Sequence, residues 1–333
     1  MKAPYSPPFT VTARMVSQIA SIAEQVGRLT AAQGMAVRLR RINRIRTIQG
    51  SLAIEGNTLS EAQITAILGG KPVIAPPREV LEARNALKAY EQLGQWQPAQ
   101  EQHLLAAHNC LMQGLVDDAG RYRQGGVGVM QGDQVMHMAP PASRVPRLMR
   151  DLLGWLATTD QHPLIASSVF HYEFEFIHPF SDGNGRMGRL WQTLMLSRWN
   201  PVMAYVPVES LVHAQQAGYY AALNASTRQS DCAVFIEFML GCLQQAISAA
   251  SAVEPLVKVK VKTRAKAPVK KQASTPERVL AALKKAPTLT LAEVAAQLGL
   301  STSAVERAAR SLRERGRLRY VGPQKGGHWE VLP

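Results

Sequence analysis

Apolar residues recur at three- and four-residue intervals through most of the first 250 positions, and that period commits the chain to packed helices. Ile19, Ile22, Val26 and Leu29 fall on one face of a helix over 15–29. Leu39, Ile42, Ile45, Ile48 and Leu52 continue the pattern over 37–54, where Gly56-Asn57 stops it. Thr58-Leu-Ser60 caps a helix beginning near Glu61. Further helices are expected over 78–93, 103–115, 145–157, 163–176, 183–198, 207–226 and 230–249. One segment breaks the period: 127–130 and 135–138 read as short strands of a hairpin, with Gly132-Asp133 at its turn.

The character of the chain changes after residue 250. Residues 251–275 mix Ser, Ala, Val, Lys and Pro with little to bury, and read as an extended or disordered basic linker. Residues 276–333 return to helical spacing over 276–285, 291–298 and 301–315, followed by strands at 317–321 and 328–332. Three helices and a β-wing make a winged helix-turn-helix. In its third helix Val305, Ala308, Ala309 and Leu312 form the stripe to be buried, while Ser303, Arg307 and Arg310 face outward and Arg317, Arg319 and Lys325 line the wing. The net charge of +14 is concentrated here, with +6 on 254–275 and +5 on 276–333. A basic tail on a near-neutral body fits a polyanion, nucleic acid first, although a solvated surface or a protein-docking winged helix fits the same charges.

Composition narrows the setting. No apolar run is read as long enough to span a membrane, and the Met1-Lys-Ala-Pro-Tyr-Ser-Pro-Pro start has no apolar core of a signal peptide. Three scattered cysteines, Cys110, Cys232 and Cys242, fit neither a disulfide framework nor a zinc cluster. A cytoplasmic protein is expected, and an oligomer is compatible with the sequence.

Chemistry concentrates between Phe176 and Arg189. A histidine, His178, ends a helix; Pro-Phe-Ser turns the chain; Asp182 follows; and Gly183-Asn184-Gly185 opens the next helix, with Arg186 and Arg189 one turn apart. Free N–H groups at a helix N-terminus bind anions, and glycines let phosphate oxygens approach. Two arginines at that spacing can clamp neighbouring phosphates. A single carboxylate beside phosphates suits Mg²⁺, and a histidine there suits a general base. Taken singly, each residue reads as an ordinary helix start, but nothing structural requires Gly-Asn-Gly between Asp and Arg. The pattern points to nucleotide-dependent group transfer and is not a P-loop.

This segment resembles the Fic family motif, H-x-F-x-D/E-G-N-G-R-x-x-R, at every fixed position. Ala119-Gly-Arg-Tyr-Arg123 resembles the family's approach to its target-docking flap, and Tyr219-Tyr220-Ala-Ala-Leu223 its later helix, so the resemblance covers roughly 40–245. It implies a mainly α fold, a Fic helical core (1–250) with a small β-hairpin flap, joined to the winged helix. It also implies AMP transfer from ATP, with Mg²⁺, to a Ser, Thr or Tyr hydroxyl of a target protein, the chain itself included. In that family His178 would be the base, Phe180 the packed anchor of the loop and Asp182 the Mg²⁺ ligand. Gly183, Asn184 and Gly185 would form the anion hole; Arg186 and Arg189 would contact the β- and γ-phosphates. Tyr219 or Tyr220 is a candidate for the adenine pocket, but adjacent helical residues point about 100° apart, so at most one of them is expected there.

Ser51-Leu-Ala-Ile-Glu55-Gly56 resembles the family's inhibitory motif, S/T-x-x-x-E-G/N, on a helix over 42–57. The resemblance implies that Glu55 pairs with Arg189 and keeps the γ-phosphate from settling. The alternative to an autoinhibited adenylyltransferase is a nucleic-acid-binding regulator whose Fic unit senses nucleotide or modifies only itself.

Overall fold

The computed structural model describes every residue except 1–4, 32–36, 132–133, 265–274, 324–325 and 333, and divides into two compact units, Met1–Lys258 and Val259–Pro333. In the first, helices α1 (Ala13–Ala31), α2 (Val37–Ile54), α3 (Glu61–Leu68), α4 (Pro77–Glu91) and α5 (Glu101–Met112) precede an antiparallel hairpin of β1 (Gly128–Gln131) and β2 (Gln134–Met138). Then come α6 (Val145–Thr158), α7 (Pro163–Ile177), α8 (Asn184–Trp199), α9 (Val208–Ala214), α10 (Gln216–Gln229) and α11 (Ala233–Arg264), whose last residues pass the Lys258 boundary. The fold is mainly α, as the spacing predicts. Hairpin pairs run Gly128↔Met138 and Val129↔His137, with a register shift between Val129 and Met130; the expected Gly132-Asp133 turn lies outside the described residues.

The centre is the α7–α8 pair. Val169, Phe170 and Phe174 of one helix and Leu190, Trp191 and Leu194 of the other are sealed from solvent. Gly188 sets their approach: a Cβ there would stand 2.9 Å from His171 Cδ2 and 3.1 Å from Glu175 Oε1. This packing fixes the connection between the two helices, which is the motif loop.

α2 runs beside them, with Ile45, Ile48 and Leu52 buried. Gly50 lets it touch the start of α9, where a Cβ would meet the Ser210 backbone nitrogen at 2.6 Å. Ser210 Oγ donates to the Arg46 carbonyl at 3.0 Å, and Gln216 Nε2 donates to the Ile54 carbonyl at 2.9 Å. The Ile54 carbonyl, in the last turn of α2, needs an outside donor because no further helical turn supplies one. α2 stops at Ile54, short of the expected residue 57, and Gly56, at φ 87°, turns the chain after Glu55.

Three expectations are corrected. The helix expected over 207–226 is broken at Gln215, whose φ of −115° and ψ of 31° separate α9, which packs on α2, from α10. The helix expected to end at 249 continues as α11 to Arg264, so the front of the segment read as an extended linker is helical; before residue 265 its one helix-breaking residue is Pro255. Within α11, 18 residues, Ala233–Ala250, are long and apolar enough to cross a membrane, contrary to the sequence reading. Phe235, Ile236, Met239, Leu240 and Leu243 of that stretch are buried in the core, which is what an apolar core helix does.

The second unit contains α12 (Thr275–Lys285), α13 (Leu291–Leu298), α14 (Thr302–Glu314) and the antiparallel strands β3 (Leu318–Val321) and β4 (His328–Val331). A Thr290–Glu293 capping box starts α13, Gly299 at φ 64° ends it, and Ser301 caps α14. Val305, Ala308, Ala309 and Leu312 are buried as the stripe predicts, against Val279, Leu283 and Val294. Arg307, Arg310, Arg317 and Arg319 are exposed, and Lys325 lies outside the described residues.

Candidate active site

The site begins where α7 ends. His178 caps that helix in the left-handed region, at φ 51° and ψ 62°, a costly conformation for a residue with a Cβ. Arg123 holds it there. Its Nε donates to the His178 carbonyl at 2.7 Å, its Nη2 to the Ile177 carbonyl at 3.3 Å, and its backbone N–H to the Pro179 carbonyl at 3.0 Å. The same guanidinium reaches the Gly125 carbonyl at 2.8 Å and the Pro140 carbonyl at 2.6 Å, tying both ends of the hairpin to the histidine loop. Arg123 is buried, and no carboxylate bonds it among the described residues; carbonyl oxygens satisfy its rigid fork.

The rest of the loop is closed by two side chains. Asn184 Oδ1 accepts from the Phe180 N–H and its Nδ2 donates to the Phe180 carbonyl, both at 2.9 Å, so its amide is spent on structure. Phe180 is buried and stacks on His108, with centroids 3.6 Å apart and planes 4° from parallel. His108 Nδ1 accepts from the Gly120 N–H at 2.8 Å, which assigns the proton to Nε2, 3.0 Å from the Asp182 carbonyl. Burial holds the His108 pKa at about 4, so the ring stays neutral and the tautomer is kept.

At the head of α8, Gly183 sits at φ 82° with no side-chain cap over the first-turn N–H groups. Asp182 is partly exposed; its Oδ1 accepts from the Gly183 N–H at 2.6 Å and from Arg186 Nη2 at 2.9 Å, and its Oδ2 from Arg78 Nη2 at 3.2 Å. Glu82 of α4 lies 3.5 Å from Arg186 and also accepts from Asn57 Nδ2 at 2.9 Å. Among the described residues no group of three or more acidic, His or Cys side chains could hold a metal alone. A lone, accessible carboxylate beside an anion-binding helix end does fit Mg²⁺, which takes one or two carboxylates and completes its shell with phosphate and water.

The predicted inhibitory residues converge on this helix end. Arg189 is buried and donates from Nη2 to Glu55 Oε1 at 2.7 Å and to the Ser51 carbonyl at 3.0 Å, and from Nε to Ser51 Oγ at 3.1 Å. Burial alone would lower the Arg189 pKa, but the Glu55 carboxylate overrides it and raises the guanidinium above its usual value. A Cβ on Gly185 would collide with Glu55 Oε1, so the carboxylate lies against the first turn of α8, where an anion would bind.

His178 is largely buried beside Glu175, and burial lowers its pKa below the usual imidazole value against the opposing pull of that carboxylate. It is therefore neutral near pH 7 and able to accept a proton. Tyr219 lies in the core, its hydroxyl 3.1 Å from His171 Nε2 and its ring against Phe235 and Phe238. Tyr220 is half-buried, which leaves it as the member of the pair available to a ligand. His171 is buried and contacts Gln192, Glu175 and Tyr219.

A crystal structure of a Fic family protein from Desulfovibrio desulfuricans is 44% identical, covers 98% of both chains and superposes with a TM-score of 0.72. The chain belongs to the Fic family. The Fic/DOC family model matches residues 98–196, which hold the motif loop of this Fic chain, and the IclR helix-turn-helix domain matches 278–322. Protein adenylyltransferase Fic of Nematostella vectensis is 28% identical over 217 residues, 61% of this chain and 47% of its own length, so the Fic chain spans about half of that relative. Fic-1 from C. elegans shares the fold, with a TM-score of 0.62 at 22% identity over 74% of each chain.

The Fic motif does not contain Arg123, His108, Glu82 or Arg78. His108 left a trace, as a polar residue among Leu104, Ala107 and Leu111 on the buried face of α5. Arg123 was legible as part of the segment leading to the flap, but not as a strut.

Proposed function

We propose that the chain transfers AMP from ATP to a Ser, Thr or Tyr hydroxyl of a protein, itself included, and that Glu55 restrains it. One observation carries this reading: Arg189, the last arginine of the motif, is held by Glu55 and Ser51 at the same helix end that would take phosphates. His178 would accept the hydroxyl proton. The first-turn N–H groups of α8 and Arg186 would hold the α- and β-phosphates, and Arg189, once released, the γ-phosphate. Asp182 would hold Mg²⁺ once Arg78 and Arg186 yield; the ion would neutralise phosphate charge. The half-buried Tyr220 is the better candidate for the adenine side, and the hairpin edge is a candidate dock for an extended target segment. Free, buried cysteines accord with a cytoplasmic setting.

Labelled ATP and the full chain test it. A hydrogen bond between charged groups is worth about 1.5–3 kcal/mol, so Glu55→Gly should raise self-modification about 10–100-fold. Arg189→Ala should be poor with or without Glu55, and the double variant should match Arg189→Ala alone. A folded, ATP-binding Glu55→Gly protein with no gain in transfer would sink the restraint.

The match to the IclR helix-turn-helix domain and the exposed arginines of α14 and β3 support a second role, nucleic-acid binding by 276–333.

A further inference from the structure

Two buried polar atoms without partners lie together beneath the reacting histidine. Among the described residues neither His178 Nδ1 nor Glu175 Oε1 has a hydrogen-bond partner within 3.5 Å, although the Glu175 backbone carbonyl also bears on the His178 ring. Glu175 stands one turn before His178 on α7, its Oε2 3.9 Å from Nδ1 and its Oε1 3.7 Å from His171 Nε2. His171 is committed elsewhere: its Nδ1 meets Gln192 Oε1 at 2.8 Å and its Nε2 the Tyr219 hydroxyl at 3.1 Å. Glu55, the other carboxylate near His178, is taken by Arg189. A buried carboxylate needs donors, and an orphaned imidazole nitrogen is the nearest group with none to lose.

We propose that Glu175 is a positioning residue for His178: its carboxylate accepts a hydrogen bond from Nδ1–H, fixing the tautomer that presents an unprotonated Nε2 to the target hydroxyl. The role rests on the AMP-transfer reading. In that reaction the hydroxyl oxygen bonds to the α-phosphorus, its proton passes to Nε2, and the bond to pyrophosphate breaks with the electron pair leaving on pyrophosphate. The imidazolium so formed lies against the Glu175 charge, and water takes its extra proton before the next cycle. Other charged and titratable groups bear on the pair from each side. Arg123 and Glu55 face His178, while His171, Arg189, Tyr219 and Tyr220 surround Glu175. Burial would raise the Glu175 pKa, but His171, His178 and Arg189 outweigh it, and the carboxyl stays ionised. Gly188 keeps the space open, since a Cβ would press on both His171 and Glu175.

The test uses the full chain with Glu55→Gly as the active background. Glu175→Gln should lower the maximal rate of self-modification by a factor on the order of 100, leave the KM for ATP unchanged, and move the acid limb of the pH profile to lower pH, because loss of the negative charge disfavours imidazolium. Glu175→Asp should recover part of the rate. Nitrogen-15 NMR of the imidazole in the unsubstituted protein supplies a readout independent of activity and of any variant's folding. There, neutral His178 should carry its proton on Nδ1. A proton on Nε2 overturns the proposal, and so does a Glu175→Gln protein with an unmoved pH profile. If the Glu55→Gly background transfers no AMP, the transfer reading fails while the tautomer still decides the role of Glu175.

Discussion

Arg189 cannot give the same N–H groups to a carboxylate and to a phosphate at once, and this exclusion is the whole of the proposed restraint. Glu55 and Ser51 together satisfy three of its bonds, so both ends of the S/T-x-x-x-E pattern touch it. Other single residues act at a distance by holding the loop in shape. His108 accepts from Gly120 through one nitrogen and faces the Asp182 carbonyl with the other, so a second proton would turn the first contact into a clash of donors. With a folded pKa of about 4 against about 6.5 unfolded, the unfolded chain binds the proton more readily. The resulting stability is intact above about pH 6.5 and is lost progressively as pH falls to about 4, by about 3 kcal/mol in all. Denaturant unfolding between pH 7 and 4 checks this: His108→Gln should lose less stability than the parent over that window, and equal losses would remove the assignment.

Among elements, α2 is the one on which the proposed restraint depends, because Glu55 lies just past its end. That placement depends on a missing side chain. Gly50 lets the helix rest on the backbone of Glu209 and Ser210, and the contacts from Ser210 and Gln216 then hold its carbonyls. Gly50→Ala would drive a Cβ into backbone, which cannot swing aside as a side chain does. The variant should lose about 1–3 kcal/mol of stability through overpacking. By lifting α2 off α9 it should also raise self-modification, though less than Glu55→Gly. A destabilised variant with unchanged transfer would show that the restraint does not depend on this seat. The periodicity of α2 and the match to the inhibitory motif were legible in sequence; the seat was not, since a glycine inside a helical pattern gives no sign of what approaches it.

Across the whole molecule, charge separates two compact units: the +14 is carried mostly by the last 80 residues, beside a first unit that holds the motif. If the exposed arginines of α14 and β3 meet phosphates, duplex affinity of the full chain should fall by roughly 0.9 log unit per log unit of salt for each phosphate neutralised. Replacing Arg307 and Arg310 by alanine should then reduce that slope by about 2 without altering self-modification. Fluorescence anisotropy at several salt concentrations measures it, and absence of binding at low salt would leave protein docking as the use of the winged helix. The sequence by itself determined the features whose physics is local. Helical period placed most elements, the buried stripe of α14 was read residue for residue, and the order His178, Asp182, Gly183-Asn184-Gly185, Arg186, Arg189 placed a histidine, a carboxylate and two arginines on one loop and one helix start. Spacing along a chain encodes which face of an element is apolar, and helix-end geometry follows from a few neighbouring residues. Tertiary structure alone decided that α11 runs on to Arg264, that Gln215 breaks a helix in two, that Tyr219 enters the core, and that Arg123 and His108 brace a loop 55 and 74 positions away. Those outcomes depend on groups brought together by packing, and a hydrogen bond between distant residues leaves no period in the sequence to reveal it.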